Sequence, residues 1–530
     1  MGAEPEPVPV LPATVVLVPF PAQGHVSPML LLARALAARG IDATVAVPDF
    51  VHRRIVGAIQ DDGPGVELAS IDSGVPDDGS GEPPGFAGFA HAMEHHMPER
   101  LEEMLTRRAL TGRGAACLVV DVLASWAVPV AERCGVPAVG FWTAMLATYR
   151  VVAAIPELIA KGLISDCEAS FLLDSSSNVE AAWGSELDNQ VSREHKTDGL
   201  ARIPTSTKPL ANGEAEVNGD HLIGDSISVL PAELELSTSD LPWLVGDAAC
   251  QKSRFTLWRQ IMARAKILHP ILVNSFPGED DGELQQPQDR RILQVGPLPT
   301  NGIFDHTAKK LLHESPLKKP SMWKSDETCM DWLDRQQAGS VIYVSFGSWV
   351  ASIGQDAICE LALGLEATGL PFLWTLKDEP SWRGGLPNGF AEAVAGRGKI
   401  VPWAPQQDVL KHRALGCYLT HCGWNSTTEA IQHGVRLLCY PVSGDQFINC
   451  KYIVKTWGIG IRLSSTDRSV VEDCVKRIME GEDGKRLKQK VDELRERVMK
   501  GKARRTAKMN LESFVDGIKR DGHALGKLRI

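Results

Sequence analysis

None of the eleven cysteines of this 530-residue chain forms a CxxC pair. Their number is odd and their spacing fits no zinc pattern, so buried or free thiols in a reducing compartment are the expectation. No apolar run is long enough to cross a bilayer. A surplus of positive charge is also missing. With 56 Lys and Arg against 66 Asp and Glu, the net charge is −10, which argues against nucleic acid or an anionic membrane as the main partner. No GxGxxG opens the first helix and no GxxxxGK[ST] occurs, so dinucleotide-dependent and P-loop chemistries lack their phosphate-binding devices. The segment 8–33 contains no acidic residue and no lysine, yet it does not read as a signal peptide. Glu4 and Glu6 stand where basic residues would be needed, and Pro9, Pro12, Pro19, Pro21 and Pro28 break a long apolar helix. The final HALGKLRI is neither an anchor nor a clear address. A soluble, cytoplasmic protein without a membrane span is expected.

What is present is an alternation. The length calls for two domains. TVVLVPF (14–20) reads as a buried strand. PAQGHVSPM (21–29) reads as a turn, and 30–40 as a helix closed by Gly40. Strands follow at 41–48, 66–71, 116–121 and 136–142, with a loop over 72–88 and a long helix up to Leu110. From 166 to 226 the chain turns polar and loses its period, so it reads as a disordered surface insertion. A helix over 253–267 and strands in 271–276 and 292–298 complete the first half, domain 1–299. A Pro-bearing charged linker, 300–324, leads to a second half, 325–530, with strands at 340–348, 371–376 and 459–463 and a charged helical end. Such alternation predicts an α/β protein with two doubly wound, Rossmann-like parallel sheets, whose ligands sit beyond the strands' carboxyl ends.

The stretch 403–446, WAPQQDVLKHRALGCYLTHCGWNSTTEAIQHGVRLLCYPVSGDQ, carries the densest chemistry. The apolar run 417–419 breaks at Gly423 into Asn425 and Ser426 and then a helical pattern, a strand–turn–capped-helix unit. Its helix N-terminus suits a diphosphate. His421 adds a donor at the mouth of the turn. Glu429, one turn beyond Ser426, suits ribose hydroxyls, Trp403 offers a flat face to a base, and Asp445 and Gln446 suit a sugar. In the other half, His25 and Asp121 both follow strand ends. Histidine accepts a proton near neutrality, and a carboxylate on its other nitrogen fixes the tautomer. The acidic pairs at Asp61, Asp77 and Asp280 have no third ligand nearby and read as solvated surface.

The box resembles the signature of the plant UDP-dependent glycosyltransferases from its first Trp to its last Gln. The resemblance implies the GT-B fold, two Rossmann-like domains facing across a cleft, with the last helix crossing back to the first domain. It implies His25 as base, Asp121 as its orienter, and diphosphate contacts from His421, Asn425, Ser426 and Ser348. It also implies Trp403, Ala404 and Gln406 around uracil, Glu429 on ribose, and Trp424, Asp445, Gln446 and, more weakly, Thr143 on the sugar. The reaction implied is inverting, metal-independent transfer from UDP-glucose, needing no cofactor, to a small lipophilic plant metabolite or hormone, by a monomer. Gln446 closing the box favours glucose. Another UDP-sugar (xylose, rhamnose or glucuronate), or a non-catalytic binding protein, stays open as an alternative. Two positions depart from the pattern: Arg436 and Tyr440 stand where the family usually has Pro and often Trp, and are expected to affect packing.

Overall fold

The computed structural model describes residues 13–59, 65–75, 86–162, 164, 236, 240–244, 248–280, 292–300, 304, 321–348, 350 and 352–520. The expected insertion and the middle of the expected linker lie outside them, as do the acidic pairs at Asp61 and Asp77.

Seven parallel strands form the first sheet: β1 (Thr14–Val18), β2 (Asp42–Pro48), β3 (Val66–Ile71), β4 (Ala115–Asp121), β5 (Ala138–Trp142), β6 (Ile271–Val273) and β7 (Ile292–Gln294), in the order β3-β2-β1-β4-β5-β6-β7. Six parallel strands form the second: β8 (Val341–Ser345), β9 (Phe372–Thr375), β10 (Gly398–Val401), β11 (Leu415–Thr420), β12 (Arg436–Cys439) and β13 (Gly460–Arg462), in the order β10-β9-β8-β11-β12-β13. Both sheets wind outward in both directions from their first strand. Each therefore has a switch point, between β1 and β4 and between β8 and β11, where a crevice opens at the strand ends.

Sequence alternation explains the layers. In the second sheet, Val341, Tyr343, Tyr418 and Leu437 face one core, which is continuous with that of the first sheet. Ile342, Val344, Cys417, Leu419 and Leu438 face another core on the opposite side. With helices on both faces, each side of a strand meets apolar packing, so Val15 to Val18 of β1 are wholly buried.

Several local expectations change. The helix expected up to Leu110 is two helices, Phe86–His95 and Met97–Leu110, the second opening with Pro98 in its first turn. The helix expected over 253–267 is Ala248–Ala265, and β10 had no clear sequence signal. Asp280 is not solvated surface: Arg150 donates to it at 2.7 Å, and so does the Tyr452 hydroxyl at 2.7 Å. The charged C-terminal region folds as Arg468–Met479, Glu482–Met499 and Lys502–Arg520. The last of these reaches the first sheet. Asn510 Nδ2 donates to the Gln294 carbonyl at 2.8 Å, and Arg504 donates to that of Pro297 at 3.0 Å. No helix among the described residues is long and apolar enough to cross a membrane.

Arg436 has a clear structural task. Its guanidinium donates to the carbonyls of Gly416, Ile478 and Gly484 at 2.7–3.3 Å. It thus satisfies the Ile478 carbonyl, at the end of the Arg468–Met479 helix where carbonyls lack intrahelical partners, and ties that helix to β11 and to the helix Glu482–Met499. Tyr440 meets Phe346 edge-on with ring centroids 6.3 Å apart. Both departures serve packing, as expected.

Candidate active site

The two switch points open onto one cleft of ≈ 600 Å³, lined from both halves. On the first side, β1 runs into α1 (Gln23–Ala37), and His25 sits in the first turn of that helix. Asp121 ends the neighbouring strand β4, so the sheet brings together two residues 96 positions apart. His25 Nδ1 lies 2.8 Å from Asp121 Oδ2. The Asp121 side chain is fully buried and also accepts the backbone N–H groups of Phe20 at 3.3 Å and Leu123 at 3.0 Å. A carboxylate only accepts, so Nδ1 carries the proton and Nε2 is left as the acceptor. Thr143 Oγ1 lies 3.0 Å from the same Nδ1. Thr143, expected at the sugar, is thus placed against the His25 ring, which it helps hold.

On the second side, β11 turns at His421, Cys422 and Gly423 into the helix Trp424–His433. The expected side-chain cap is not made: Gly423 is the N-cap and no side chain accepts there. The first-turn N–H groups have no intrahelical acceptor and lie at the cleft, where an anion is favoured. His421 is wedged between two glycines. A Cβ on Gly347, which has φ +78°, would sit 2.7 Å from His421 Cε1, and one on Gly423 would strike Nε2. Only glycine fits at both positions. Burial lowers the His421 pKa from 6.5 to about 4, with Lys377 adding to the effect and the Ser345 carbonyl opposing it. The ring is therefore neutral at pH 7 and offers an N–H rather than a charge.

That shift sets a pH-dependent stability. The folded protein holds fewer protons than the unfolded chain between pH 6.5 and 4. The stabilisation is thus complete above 6.5 and is lost as pH falls toward 4, by up to about 3 kcal/mol. Urea midpoints of the wild type should fall over this window, and those of His421→Asn should fall less. Parallel curves would contradict the assignment.

The other expected donor residues line the cleft, though several have additional partners. Trp403, Ala404 and Ser348 face it, and Trp403 tilts against Trp323 with centroids 5.8 Å apart. Glu429 is buried and held by Gln406 Nε2 at 2.7 Å. Gln406 also donates to Ser426 Oγ at 3.1 Å and accepts from the Tyr343 and Tyr418 hydroxyls at 3.3 and 3.2 Å. Its amide thus positions Glu429 and Ser426 from within, and its expected contact beside the base is left to its stem. Trp424 Nε1 donates to the Asn274 carbonyl of the first half at 2.6 Å, leaving the Trp424 backbone N–H for a ligand. Gln446 Oε1 accepts from Val442 N and Ser443 N, each at 2.9 Å, and its Nε2 donates to Ser443 Oγ at 3.5 Å, which leaves one amide hydrogen for a ligand. Asp445 accepts from Asn449 Nδ2 at 2.8 Å. Its pKa is raised by burial, against which the nearby His25 acts.

Asn425, expected on the diphosphate, places Nδ2 2.7 Å from the Gly24 carbonyl across the cleft. Pro28, inside α1, makes this possible. The residue four beyond Gly24 would normally donate to that carbonyl, and proline has no N–H. Pro28→Ala restores the competing donor next to His25. The transfer that the resemblance implies should slow by roughly fivefold, the worth of about 1 kcal/mol, with UDP affinity held. An unchanged rate would show that the bond does not position His25.

The acceptor side holds residues that sequence reasoning missed. Leu257, Trp258 and Ile261, from the helix Ala248–Ala265, join Met93, Trp126 and Trp142 in lining the cleft. Trp142 and Trp258 lie with centroids 6.1 Å apart. Asn274 and Gly24, the cross-cleft acceptors, were also unforeseen.

Comparison with known proteins agrees with this geometry. Residues 323–495 match the family described as UDP-glucoronosyl and UDP-glucosyl transferase, and residues 12–153 match the glycosyltransferase N-terminal domain. UDP-glycosyltransferase 82A1 of Arabidopsis thaliana is 39% identical over 94% of this chain and 96% of its own. The chain belongs to the plant family 1 UDP-glycosyltransferases. It is also similar to the DIMBOA UDP-glucosyltransferase BX8 of Zea mays, at 29% identity over 92% of this chain and 94% of that one. The crystal structure of Os79 from O. sativa in complex with UDP superposes with a TM-score of 0.71, at 27% identity, covering 95% of this chain and all of that chain. As a UDP-glycosyltransferase of the GT-B fold, the enzyme acts on small molecules, and its cleft faces a nucleotide-sugar site with an acceptor site.

Proposed function

We propose that the enzyme transfers glucose from UDP-glucose, with inversion, to a hydroxyl of a small lipophilic acceptor, giving a β-glucoside. The observation that carries this reading is the His25–Asp121 pair at 2.8 Å, opening onto the same cleft as the uncapped 424–433 helix.

In this reading UDP lies on the second half, with uracil against Trp403, ribose hydroxyls on Glu429, and the diphosphate at the helix N-terminus with His421, Ser426 and Ser348. The acceptor lies against Trp142, Trp258 and Ile261, an apolar wall suited to an aromatic or terpenoid skeleton. His25 Nε2 takes the hydroxyl proton as the oxygen attacks the anomeric carbon from the face opposite UDP, and Asp121 stabilises the imidazolium. The C–O bond to UDP breaks as the new one forms, and the charge developing on the diphosphate is met by helix N–H groups and neutral donors. This donor set supports transfer that requires no metal. Glucose is favoured by the likeness to the maize UDP-glucosyltransferase and by the Os79 structure with UDP and deoxynivalenol-3-glucoside.

The test is a donor panel of UDP-glucose, UDP-xylose, UDP-rhamnose and UDP-glucuronate with one simple phenol and EDTA present, read by mass spectrometry. UDP-glucose should give the dominant product, one hexose heavier than the phenol. Turnover of another donor in its place, or dependence on added metal, overturns this reading.

A further inference from the structure

We propose that Cys422, Cys439 and Cys450 form a trithiol site for a thiophilic, three-coordinate species of the arsenite type, and that loading it weakens UDP binding. The three sulfurs lie within 4.8 Å of one another, and no other group of three metal-ligating side chains closes this tightly among the described residues. They come from three elements: the turn after β11, the end of β12 and the helix Gln446–Lys451. All three are buried, at 0%, 0% and 1% exposure.

Their arrangement differs from ordinary core packing of cysteine. Cys422 holds φ +66°, the only non-glycine described residue in the left-handed region, a strained conformation that persists only where its surroundings enforce it. Three sulfur ligands without oxygen or nitrogen partners select soft, thiophilic species.

Coordination and charge select the occupant. A structural zinc ion asks for four ligands, and the cluster offers three. A buried set must end near neutrality. Arsenous acid meets both conditions: three As–S bonds replace three As–OH bonds, each thiol hydrogen leaves with a hydroxide as water, and no oxidation state changes. The product is neutral and needs no fourth ligand. Drawing the three sulfurs together pulls on Cys422, between His421 and the N-cap Gly423. It also strains Asn449, which joins the Cys422 carbonyl at 2.9 Å to Asp445. The effect on UDP follows from that position.

The test incubates the full-length protein with sodium arsenite, removes the excess, and measures arsenic per chain and UDP affinity. One arsenic per chain is expected, with three sulfur neighbours in the arsenic-edge absorption spectrum and weakened UDP binding. Cys439→Ala and Cys450→Ala, which lie outside the donor contacts, should each bind arsenite at least ~10-fold more weakly, the lower bound for losing even an indirect metal partner. No retained arsenic, a spectrum with two sulfurs and an oxygen, or UDP affinity unchanged by loading would each overturn the proposal. The absorption spectrum decides on the wild type alone if a variant does not fold.

Discussion

His25→Ala is expected to lower transfer by ~10²–10⁴-fold, the usual loss on removing a general base, while UDP affinity stays near that of the wild type. The separation follows from the architecture. His25 sits in the first turn after β1, on the opposite side of the cleft from the Trp424–His433 helix, where the diphosphate is proposed to lie. Its ring contacts Asp121, Thr143 and Phe20, all in the first half. Removing the imidazole empties space on the acceptor side and leaves Trp403, His421 and Glu429 in place. Asp121→Asn should follow the same pattern, because an amide N–H in place of a carboxylate oxygen favours the tautomer that puts the proton on Nε2. The paired readout is single-turnover transfer and UDP titration on each variant. If His25→Ala transfers at the wild-type rate, His25 is not the base; if UDP binding collapses with it, the two halves are not separable.

Glu429→Ala is expected to raise the KM for the UDP-sugar by roughly 100-fold, with a much smaller change in kcat. Glu429 is 4% exposed, yet it lines the cleft. Its carboxylate is held by Gln406 at 2.7 Å and Gln407 at 3.4 Å, and in the proposed complex it also accepts from two ribose hydroxyls. A hydrogen bond to a charged group is worth roughly 1.5–3 kcal/mol, so losing two reaches about 3 kcal/mol at the lower limit. The ribose is remote from the breaking bond, so the loss falls equally on ground and transition states and appears in KM. Gln406→Ala should give a smaller effect of the same kind, because it removes the support and not the ligand. A Glu429→Ala enzyme with unchanged KM and reduced kcat would place Glu429 elsewhere in the reaction.

Much of this was legible in the chain because the relevant signals are local. The run 14–20, the break at Gly423 and the helical pattern after it each encode one βα unit, and two series of such units imply two doubly wound sheets. His25 and Asp121 were legible as strand-end residues, although their 2.8 Å contact depends on β1 and β4 being neighbours, which sheet order decides and no pattern states. The weakly legible parts are of two kinds. β10 is an edge strand whose Gly398, Lys399 and Ile400 are only half-buried, so its GKIV sequence carries no apolar run. The cross-cleft bonds, such as Asn425 to Gly24 over 401 positions, join residues whose local roles are already satisfied on paper. Gln406 shows the same limit. Its place in the box was readable, but its bonds to Tyr343 and Tyr418 come from the packing of two adjacent strands beneath it. The apolar wall from Trp258 and Ile261 lies on a helix whose pattern reads as ordinary packing.

The central claim is a single displacement, driven by a base on one side of the cleft against a leaving group held on the other. The measurement that tests it most directly is the anomeric configuration of the product formed from α-linked UDP-glucose and a simple phenol, read by proton NMR. The large coupling constant of a β-glucoside is the result this account predicts. An α-glucoside would contradict it, because retention requires a second displacement or a front-face attack that His25, opposite the diphosphate helix, does not serve.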